Sequence, residues 1–228
     1  MSWAIWITGL PGSGKSVIAG TTAEMLEAWD CPVVVLELDQ IRRVITPHPT
    51  YRDAEREAVY RALVHIGAGL VEAGIQVIFD ATAHRRAWRD LARATIRDFA
   101  EIQLICPLEV CRQRETARVD SHAPAGIYAR ARGRGSRVPG VDVTYELARS
   151  PELMLDTKDL SVEAAAAEIV SIVTTRFLRP GAHEGRDGRP PVTAGHSSIL
   201  LDDGTPEQKE ISRRAREYLA ERLRGAAR

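Results

Sequence analysis

The strongest constraint on the fold of this chain is the segment at residues 9–16, whose sequence is GLPGSGKS. It fits G-x-x-x-x-G-K-[ST] at every fixed position, it follows an apolar run at residues 3–7, and an amphipathic helical pattern comes after it. Glycines in such a loop let backbone N–H groups turn toward a polyphosphate, while the next helix points its positive end at the same anion. The segment therefore predicts a phosphate-binding loop between a strand and a helix.

The chemistry of this loop predicts ATP and Mg²⁺ as cofactors. Lys15 should reach the β- and γ-phosphates, and the Ser16 hydroxyl should hold the metal ion. We expect the loop and the first turn of the following helix to bind the nucleotide, through Gly9, Leu10, Pro11, Gly12, Ser13, Gly14, Lys15, Ser16 and Val17.

Strand and helix patterns alternate through the first 177 residues. Five short runs predict strands at 3–7, 33–38, 75–79, 101–106 and 153–155, and the helical patterns between them include 53–72 and 85–98. Near-continuous apolar runs are typical of strands buried on both faces. Because this alternation requires crossover connections, we expect an α/β three-layer sandwich of the P-loop NTPase type with a five-stranded, mainly parallel sheet.

The composition limits the partners of the chain. Its 228 residues include 31 basic and 31 acidic side chains, so the formal net charge is zero and no global field favours nucleic acid. No stretch approaches the roughly 20 apolar residues of a membrane span, and no basic region precedes the first apolar run. The three cysteines show no C-x-x-C spacing, which is typical of reduced core residues. We expect a soluble cytoplasmic protein with a small-molecule nucleotide substrate.

Two aspartates follow predicted strands, so both should lie beside the loop at the carboxyl edge of the sheet. Asp39 follows the second strand and Asp80 the third. Because an acceptor hydroxyl must lose a proton as it attacks a phosphate, either carboxylate could be the base of a kinase. Asp39 could also bind Mg²⁺ together with Ser16, directly or indirectly, and Asp80 could bind the metal through water or only cap the next helix.

An arginine follows Asp39 after one helical turn. Arg42 is placed to grip an anionic acceptor, and a simple surface ion pair is the alternative. The residues that we expect to carry catalysis are Lys15, Asp39, Arg42 and Asp80.

Composition changes predict a lid, a linker and a tail beside one P-loop kinase domain at residues 1–179. Residues from about 115 to 142 are irregular and rich in arginine, which is typical of a functional lid. Residues 180–205 read as a linker, and residues 206–228 predict a polar helical tail that is peripheral to the core. Arg114, before the lid, and Arg130, within it, could clamp the phosphates or stack on the base of the nucleotide.

An ordered series of motifs resembles the adenylylsulfate kinase family. That family carries P-L-E-V-C-x-x-R, G-L-Y-x-K-A, T-G-I-D, P-Y-E and P-E-L-x-(I/L)-D-T. Similar segments follow in the same order here, at 107–114, 126–131, 139–142, 145–146 and 151–157. The resemblance covers roughly residues 3–177. It implies a homodimeric enzyme of sulfate assimilation that moves the γ-phosphate of ATP to the 3′-hydroxyl of adenylylsulfate.

The resemblance also implies which residues bind the acceptor. Asp39 matches the second aspartate of the family's D-G-D-N-x-R, Arg42 matches its arginine, and Arg86 corresponds to the arginine after the third strand. The expected substrate-binding residues are Asp39, Arg42, Tyr51, Arg56, Ala81, Thr82, Arg86 and Val138.

The chain departs from the family mainly where the acceptor would bind. The family's D-G-D-N reads ELDQ at residues 37–40, and its F-I-S-P reads ATAH at residues 81–84. Its acceptor-binding asparagine aligns with Val59, and its stacking phenylalanine aligns with Val138, while Tyr51 could replace the other stacking aromatic. We expect a weakened adenylylsulfate pocket. The alternative is a related P-loop kinase that acts on a hydroxyl of a different nucleotide, a nucleic-acid end or a small molecule.

Overall fold

The computed structural model of the chain describes residues 2–117, 124, 126–133, 135–178, 200 and 203–226. Within these residues the sheet has five strands in the order β2-β3-β1-β4-β5, and every neighbouring pair is parallel. The α/β fold with a five-stranded parallel sheet is therefore confirmed. The strands are β1 (Ala4–Thr8), β2 (Val33–Glu37), β3 (Gln76–Asp80), β4 (Phe99–Ile105) and β5 (Leu153–Asp156).

Helices cover both faces of this sheet. Side chains of α1 and α6 pack on one face, and side chains of α2, α3, α4 and α7 belong to the core on the other face. A π-helical turn at Thr174–Leu178 extends α6. The helices are α1 (Lys15–Glu27), α2 (Leu38–Ile45), α3 (Asp53–Glu72), α4 (Arg86–Thr95), α5 (Leu108–Thr116), α6 (Val162–Val173) and α7 (Pro206–Ala226).

The central strand β1 joins the two layers of the core. All five of its residues are buried. Because side chains alternate along a strand, Trp6 packs on the α3 side, while Ile5 and Ile7 pack on the α1 and α6 side. The Trp6 ring stacks on Phe79 of β3, with ring centroids 4.8 Å apart. The phosphate-binding loop thus leaves the most deeply buried strand of the sheet.

The boundary between α4 and β4 differs from the prediction. The helix expected at 85–98 ends at Thr95, and β4 begins at Phe99. Ile96 has extended backbone angles, with φ −102° and ψ 117°, which end the helix. The Asp98 carbonyl already accepts the Ala4 N–H at 2.9 Å, so the chain pairs with β1 earlier than its side-chain pattern indicates.

The C-terminal helix is not peripheral, so that expectation was wrong. Ile211, Ala215 and Leu219 of α7 are buried in the same core cluster as α3. A Cβ atom on Gly69 of α3 would lie 2.5 Å from Leu219 Cδ2, so the two helices approach closely. The three buried residues recur every four positions and form an apolar stripe on an otherwise charged helix. This narrow stripe is the signal that the overall polarity of the helix conceals.

The linker predicted at 180–205 lies outside the described residues except at residues 200 and 203–205. The division into a domain, a linker and a tail therefore stays a prediction. Lid residues 118–123, 125 and 134 also lie outside the described residues, whereas lid residues 126–132 form turns. Among the helices that the structure describes, none is long and apolar enough to cross a membrane.

We expect Leu219→Ala to lower the free energy of unfolding by about 2 kcal/mol, because it leaves a cavity between α7 and α3. Urea denaturation followed by circular dichroism measures this change. The matched control is Glu221→Ala, which alters an exposed side chain two positions later on the same helix. Equal stability of the two variants would mean that α7 adds nothing to the core.

Candidate active site

The phosphate-binding loop is held in shape by its glycines and by α5. Gly12 and Gly14 have φ angles of +79° and +97°, which side chains rarely adopt. A Cβ atom on Gly12 would collide with the backbone carbonyl of Cys111 in α5, so only glycine fits at this position. The Lys15 ammonium group donates to the Leu10 carbonyl at 3.0 Å. These constraints fix the path of the loop before any ligand binds.

A cavity of about 840 Å³ lies over this loop, a volume typical of ligand pockets. Of the residues expected to bind the nucleotide, those at 11–17 line the cavity, and so do Arg114 and Arg130. Gly9 and Leu10 do not line it. Gly9 packs under the loop against Leu104, and Leu10 lies against Gly140 of the lid. These two residues therefore support the loop from outside the cavity.

Three carboxylates meet near Lys15. Asp80 ends β3, Glu37 ends β2 directly opposite Asp80, and all of these residues line the cavity together with Asp39. The prediction that Asp39 directly follows the second strand is wrong, because β2 ends at Glu37 and Asp39 lies in the first turn of α2. The pKa of Asp80 is raised to about 6, first by burial and then by the charges of Glu37 and Asp39, against the opposing effect of Lys15. The pKa of Asp80 is therefore influenced by Lys15 and by two further carboxylates that line the same cavity.

The two candidate bases have different neighbours in the cavity. Asp80 accepts a hydrogen bond from the Ser16 hydroxyl of the phosphate-binding loop. Burial raises the pKa values of Tyr51 and Tyr60, and the negative charge of Asp39 raises them further. Both tyrosines line the same cavity. Asp80 thus lies beside the phosphate-binding loop, whereas the charge of Asp39 acts on Asp80 and on both tyrosines.

Arg56 places a buried positive charge at the part of the cavity wall that Tyr51 and His84 also line. Its side chain donates to three neutral acceptors: the Tyr51 carbonyl at 3.1 Å, His84 Nδ1 at 3.3 Å and the Arg137 carbonyl at 2.8 Å. Burial lowers the pKa of Arg56, and the charges of Arg42 and Arg137 act in the same direction, whereas the nearby charge of Asp53 raises it. Asp53 forms its ion pairs with Arg85 and Arg137, and no carboxylate among the described residues pairs directly with Arg56. An anionic ligand would add compensating charge.

His84 is a neutral donor or acceptor at neutral pH. The pKa of His84 is lowered to about 4, first by burial and then by the nearby charges of Arg56 and Arg85. Because Arg56 donates to Nδ1, the ring proton is carried by Nε2. His84 lines the cavity at the position where the family has a proline, so this chain has a polar ring there instead.

The remaining predicted acceptor residues divide into two groups. Ala81, Thr82 and Val138 line the cavity. Arg86 does not: its guanidinium donates to the Leu147 carbonyl at 3.1 Å and its N–H to Glu146 Oε2 at 2.8 Å. Arg86 thus lies outside the cavity, because its side chain is bonded to segment 146–147. Its contact with an acceptor stays a prediction.

The lid contacts the phosphate-binding loop and α3. The Tyr128 hydroxyl donates to the Pro11 carbonyl at 2.7 Å. Further along the lid, Arg137 forms an ion pair with Asp53 at 2.6 Å, at the start of α3. Asp142 organises this end of the lid, since it accepts the Val138 N–H at 2.8 Å. One segment thus contacts both the phosphate-binding loop and the start of α3.

Sequence reasoning missed several residues of this site. Tyr60, His84 and Arg137 line the cavity, and Glu55 lies directly behind its wall. The replacement of the family's proline by His84 was visible as a departure, but its burial and its partner were not. Glu55 occupies the third position of a helix, which is a common capping position, and this is the signal that could have identified it.

The comparisons with known proteins identify the family of the chain. The family model that matches is "Adenylylsulphate kinase", over residues 1–156. The "Probable adenylyl-sulfate kinase" of Archaeoglobus fulgidus is 35% identical over 158 residues, which cover 69% of this chain and 97% of that protein. The "Adenylyl-sulfate kinase" of Geotalea uraniireducens is 33% identical over 180 residues, covering 78% of this chain and 83% of the relative.

Solved structures give the same result. The Mycobacterium tuberculosis APS kinase in complex with AMPPNP and APS superimposes with a TM-score of 0.66 at 30% identity. The match covers 75% of this chain and 97% of that structure. The matched part of this chain therefore includes nearly the whole of that kinase.

We expect Asp80→Asn to stabilise the ligand-free protein at pH 8 by on the order of 2–3 kcal/mol and to leave its stability unchanged near pH 3. The native carboxyl has a raised pKa of about 6, so folding favours its protonated form, and stability falls as the pH rises from about 4 through 6. Urea titrations across this range measure the difference. Asp90→Asn, on the exposed face of α4, is the control. An identical pH dependence in wild type and Asp80→Asn would contradict the carboxylate cluster.

Proposed function

The chain belongs to the adenylylsulphate kinase family, and we propose that it transfers the γ-phosphate of ATP to the 3′-hydroxyl of adenylyl sulfate. The products are ADP and 3′-phosphoadenylyl sulfate. Family membership rests on the family model that matches residues 1–156 and on relatives at 33–35% identity. An ATP-dependent transfer of phosphate to a hydroxyl group follows from this membership.

The observation that carries the choice of acceptor is the buried guanidinium of Arg56. Adenylyl sulfate is an anion, and its phosphosulfate group would compensate a charge that has only neutral partners among the described residues. Small uncharged polyols would leave that charge uncompensated in a region shielded from water, which is energetically costly. We call the part of the cavity lined by Tyr51, Arg56 and His84 the acceptor half. Its charge favours a negatively charged nucleotide as the acceptor.

Lys15 and the loop are the residues that we assign to the nucleotide. Backbone N–H groups at the start of α1 and the Lys15 ammonium group suit the β- and γ-phosphates, which is consistent with the fixed glycine turns. Arg114 and Arg130 line the cavity and are candidates for the base or the phosphates. Arg114 is oriented by its hydrogen bonds to the Thr157 carbonyl at 2.8 Å and the Lys158 carbonyl at 3.1 Å.

Asp39 is the base that we favour, since its charge acts on Tyr51 and Tyr60, which line the cavity with Arg56, whereas Asp80 accepts a hydrogen bond from Ser16. A carboxylate at Asp39 can accept the proton that the acceptor hydroxyl loses as it attacks. Arg42 lines the same wall and suits the anionic part of the acceptor.

The donor set fits Mg²⁺. The Ser16 hydroxyl and the Asp80 carboxylate that accepts its hydrogen bond are hard oxygen ligands, which suit this ion. Asp39 was predicted as a metal ligand, but a metal-bound carboxylate is a poor base, so we assign Asp39 to the base alone. The described residues contain no group of three or more ligands that could hold a metal alone, so the phosphates must complete the site. When bound, Mg²⁺ neutralises charge on the β- and γ-phosphates.

The homodimer, which the family resemblance implies, and the cytoplasmic location, which the composition predicts, stay predictions. Sedimentation velocity of the purified chain would decide between a dimer and a monomer, and fractionation of the source cells would locate the protein.

We expect adenylyl sulfate to stimulate ADP release from ATP, and the measurement is a coupled assay that also includes other nucleotides, a 5′-hydroxyl oligonucleotide and small polyols. Lys15→Ala should fold normally and lose the stimulated rate by a factor of about 10²–10³ or more, because it removes charge that stabilises the transition state. No response to adenylyl sulfate, together with rapid turnover of another hydroxyl, would replace the proposed acceptor.

We expect Val138→Phe to lower the KM for adenylyl sulfate about tenfold and to leave the KM for ATP unchanged. Val138 lines the cavity where the family has a stacking phenylalanine, and stacking of a base on an aromatic ring contributes about 1–3 kcal/mol. The control is Val143→Phe, the same substitution on a lid residue that does not line the cavity. Wild-type saturation at low micromolar adenylyl sulfate would contradict the weakened pocket.

A further inference from the structure

We propose that Glu55 is a positioning residue that sets the acceptor wall of the cavity by holding Arg42 and the turn at Thr50 and Tyr51. This inference rests on the proposed function for its kinetic test, but the contacts that carry it do not depend on which acceptor binds. Glu55 itself does not line the cavity, whereas Arg42, Thr50 and Tyr51 do. Its effect on a ligand must therefore pass through these neighbours.

The Glu55 carboxylate accepts four hydrogen bonds. Oε1 accepts Arg42 Nη1 and the Tyr51 N–H, both at 3.1 Å. Oε2 accepts the Thr50 N–H at 2.5 Å and the Thr50 hydroxyl at 2.7 Å. Only 1% of the side chain is exposed, so the carboxylate is satisfied by these donors alone.

Glu55 is charged at neutral pH despite its burial. Burial by itself would raise the pKa of Glu55, but the hydrogen bonds from Thr50 and the charge of Arg42 together bring the pKa below its usual value. The carboxylate and the Arg42 guanidinium form a buried ion pair whose net charge is zero. Arg42 keeps a fixed orientation through this pair, and Arg56 remains the charge without a carboxylate partner among the described residues.

The turn that Glu55 holds is strained. Tyr51 has a φ angle of +56°, a left-handed conformation that costs a non-glycine residue energy and persists only when its surroundings enforce it. Glu55 holds the chain directly before the Tyr51 Cα atom through the N–H groups of Thr50 and Tyr51, which lie on either side of the Thr50 Cα atom. Strained residues of this kind concentrate at ligand sites.

The strained turn also orients the neighbouring side chains of the cavity wall. Two guanidinium groups lie over the Tyr51 ring, with the Arg42 Cζ atom 5.1 Å and the Arg56 Cζ atom 6.0 Å from the ring centroid. The Tyr51 carbonyl also accepts Arg56 Nε at 3.1 Å. One carboxylate thus determines the positions of two cations and one aromatic ring before the acceptor binds, and such preorganisation favours tight binding.

A simple helix cap is the competing explanation. Glu55 lies at the third position of α3, where a carboxylate often reaches back to the N–H groups that precede a helix. A cap would stabilise the fold without affecting one substrate more than the other. The experiment must therefore compare the two substrates and measure the turn directly.

The first test is kinetic, with Glu55→Gln as the variant and Glu72→Gln, exposed at the other end of α3, as the matched control. Glutamine has nearly the same size but carries no charge. Its NH₂ group can only donate, so it cannot accept the hydrogen bonds that Thr50 or Arg42 donates to Glu55 in the wild type. We expect the KM for adenylyl sulfate to rise at least tenfold, with the KM for ATP and the melting temperature changed little. Equal changes in both KM values, or no change in the acceptor KM, would overturn the proposal in favour of a cap.

A double-mutant cycle tests the route through Arg42. If Glu55 acts by orienting Arg42, Glu55→Gln should raise the acceptor KM much less in the Arg42→Gln background than in the wild type. Additive effects of the two substitutions would mean that Glu55 does not act through Arg42. Thr50→Val removes the hydroxyl that is one of the four donors to Glu55. It should raise the acceptor KM less than Glu55→Gln does, and it replaces Glu55→Gln as the test variant if that protein does not fold.

The second test needs no substrate. Hydrogen exchange of the ligand-free protein should show faster exchange of the Thr50 and Tyr51 amides in Glu55→Gln than in the wild type, because Glu55 is their acceptor. Unchanged exchange at these two amides would overturn the positioning role. If the wild type fails to use adenylyl sulfate but these amides lose protection in the variant, the proposed acceptor is wrong, while Glu55 still holds the turn at Thr50 and Tyr51; its effect on the acceptor is then tested with the hydroxyl compound that the wild type does use.

Discussion

The parallel register of the three strands β2, β3 and β1 is the constraint on which the site depends. Glu37 pairs with Asp80, and Asp80 pairs with Ile7, so the three strands end at the same level. The phosphate-binding loop leaves β1 just beyond this level, and α2 begins one residue after β2. A shift of one residue in either pairing would turn the Asp80 side chain toward the opposite face. Negative charge and phosphate-binding backbone are therefore brought together by main-chain hydrogen bonds rather than by loop conformation.

The acceptor edge is supported from beneath by a buried arginine. Arg89 is fully buried, with Nε 2.6 Å from Glu101 Oε1 of β4, and it donates to the carbonyls of Ala83 and Glu146. Ala83 has a φ angle of +41°, and its N–H donates to the Tyr60 hydroxyl at 2.9 Å. Both polar groups of this strained residue are thus held, which fixes the direction of His84 immediately after it. The sheet, α3 and α4 all contribute to the shape of one wall.

The sequence predicted those parts of the site that depend on residue spacing within a short stretch of the chain. The loop at residues 9–16 and the positions of Lys15 and Asp80 follow from a motif and from strand alternation, and both can be read within a short window. Contacts between distant segments could not be predicted in this way. Arg86 is taken up by a carbonyl 61 residues away, and Arg56 contacts the backbone of Arg137, 81 residues away. The apolar stripe of α7 was readable in principle, but three buried residues in a charged helix are a weak signal.

The packing of α7 on α3 has a consequence for the fate of the chain in a cell. The matched family region ends at residue 156, yet α7 covers an apolar face of the helix that carries Glu55 and Arg56. Molecules that have lost α7 by proteolysis would expose that face, and exposed apolar patches attract other unfolded chains and the chaperones and proteases that remove them. The cellular abundance of the enzyme would then depend on an extension that carries no part of the chemistry.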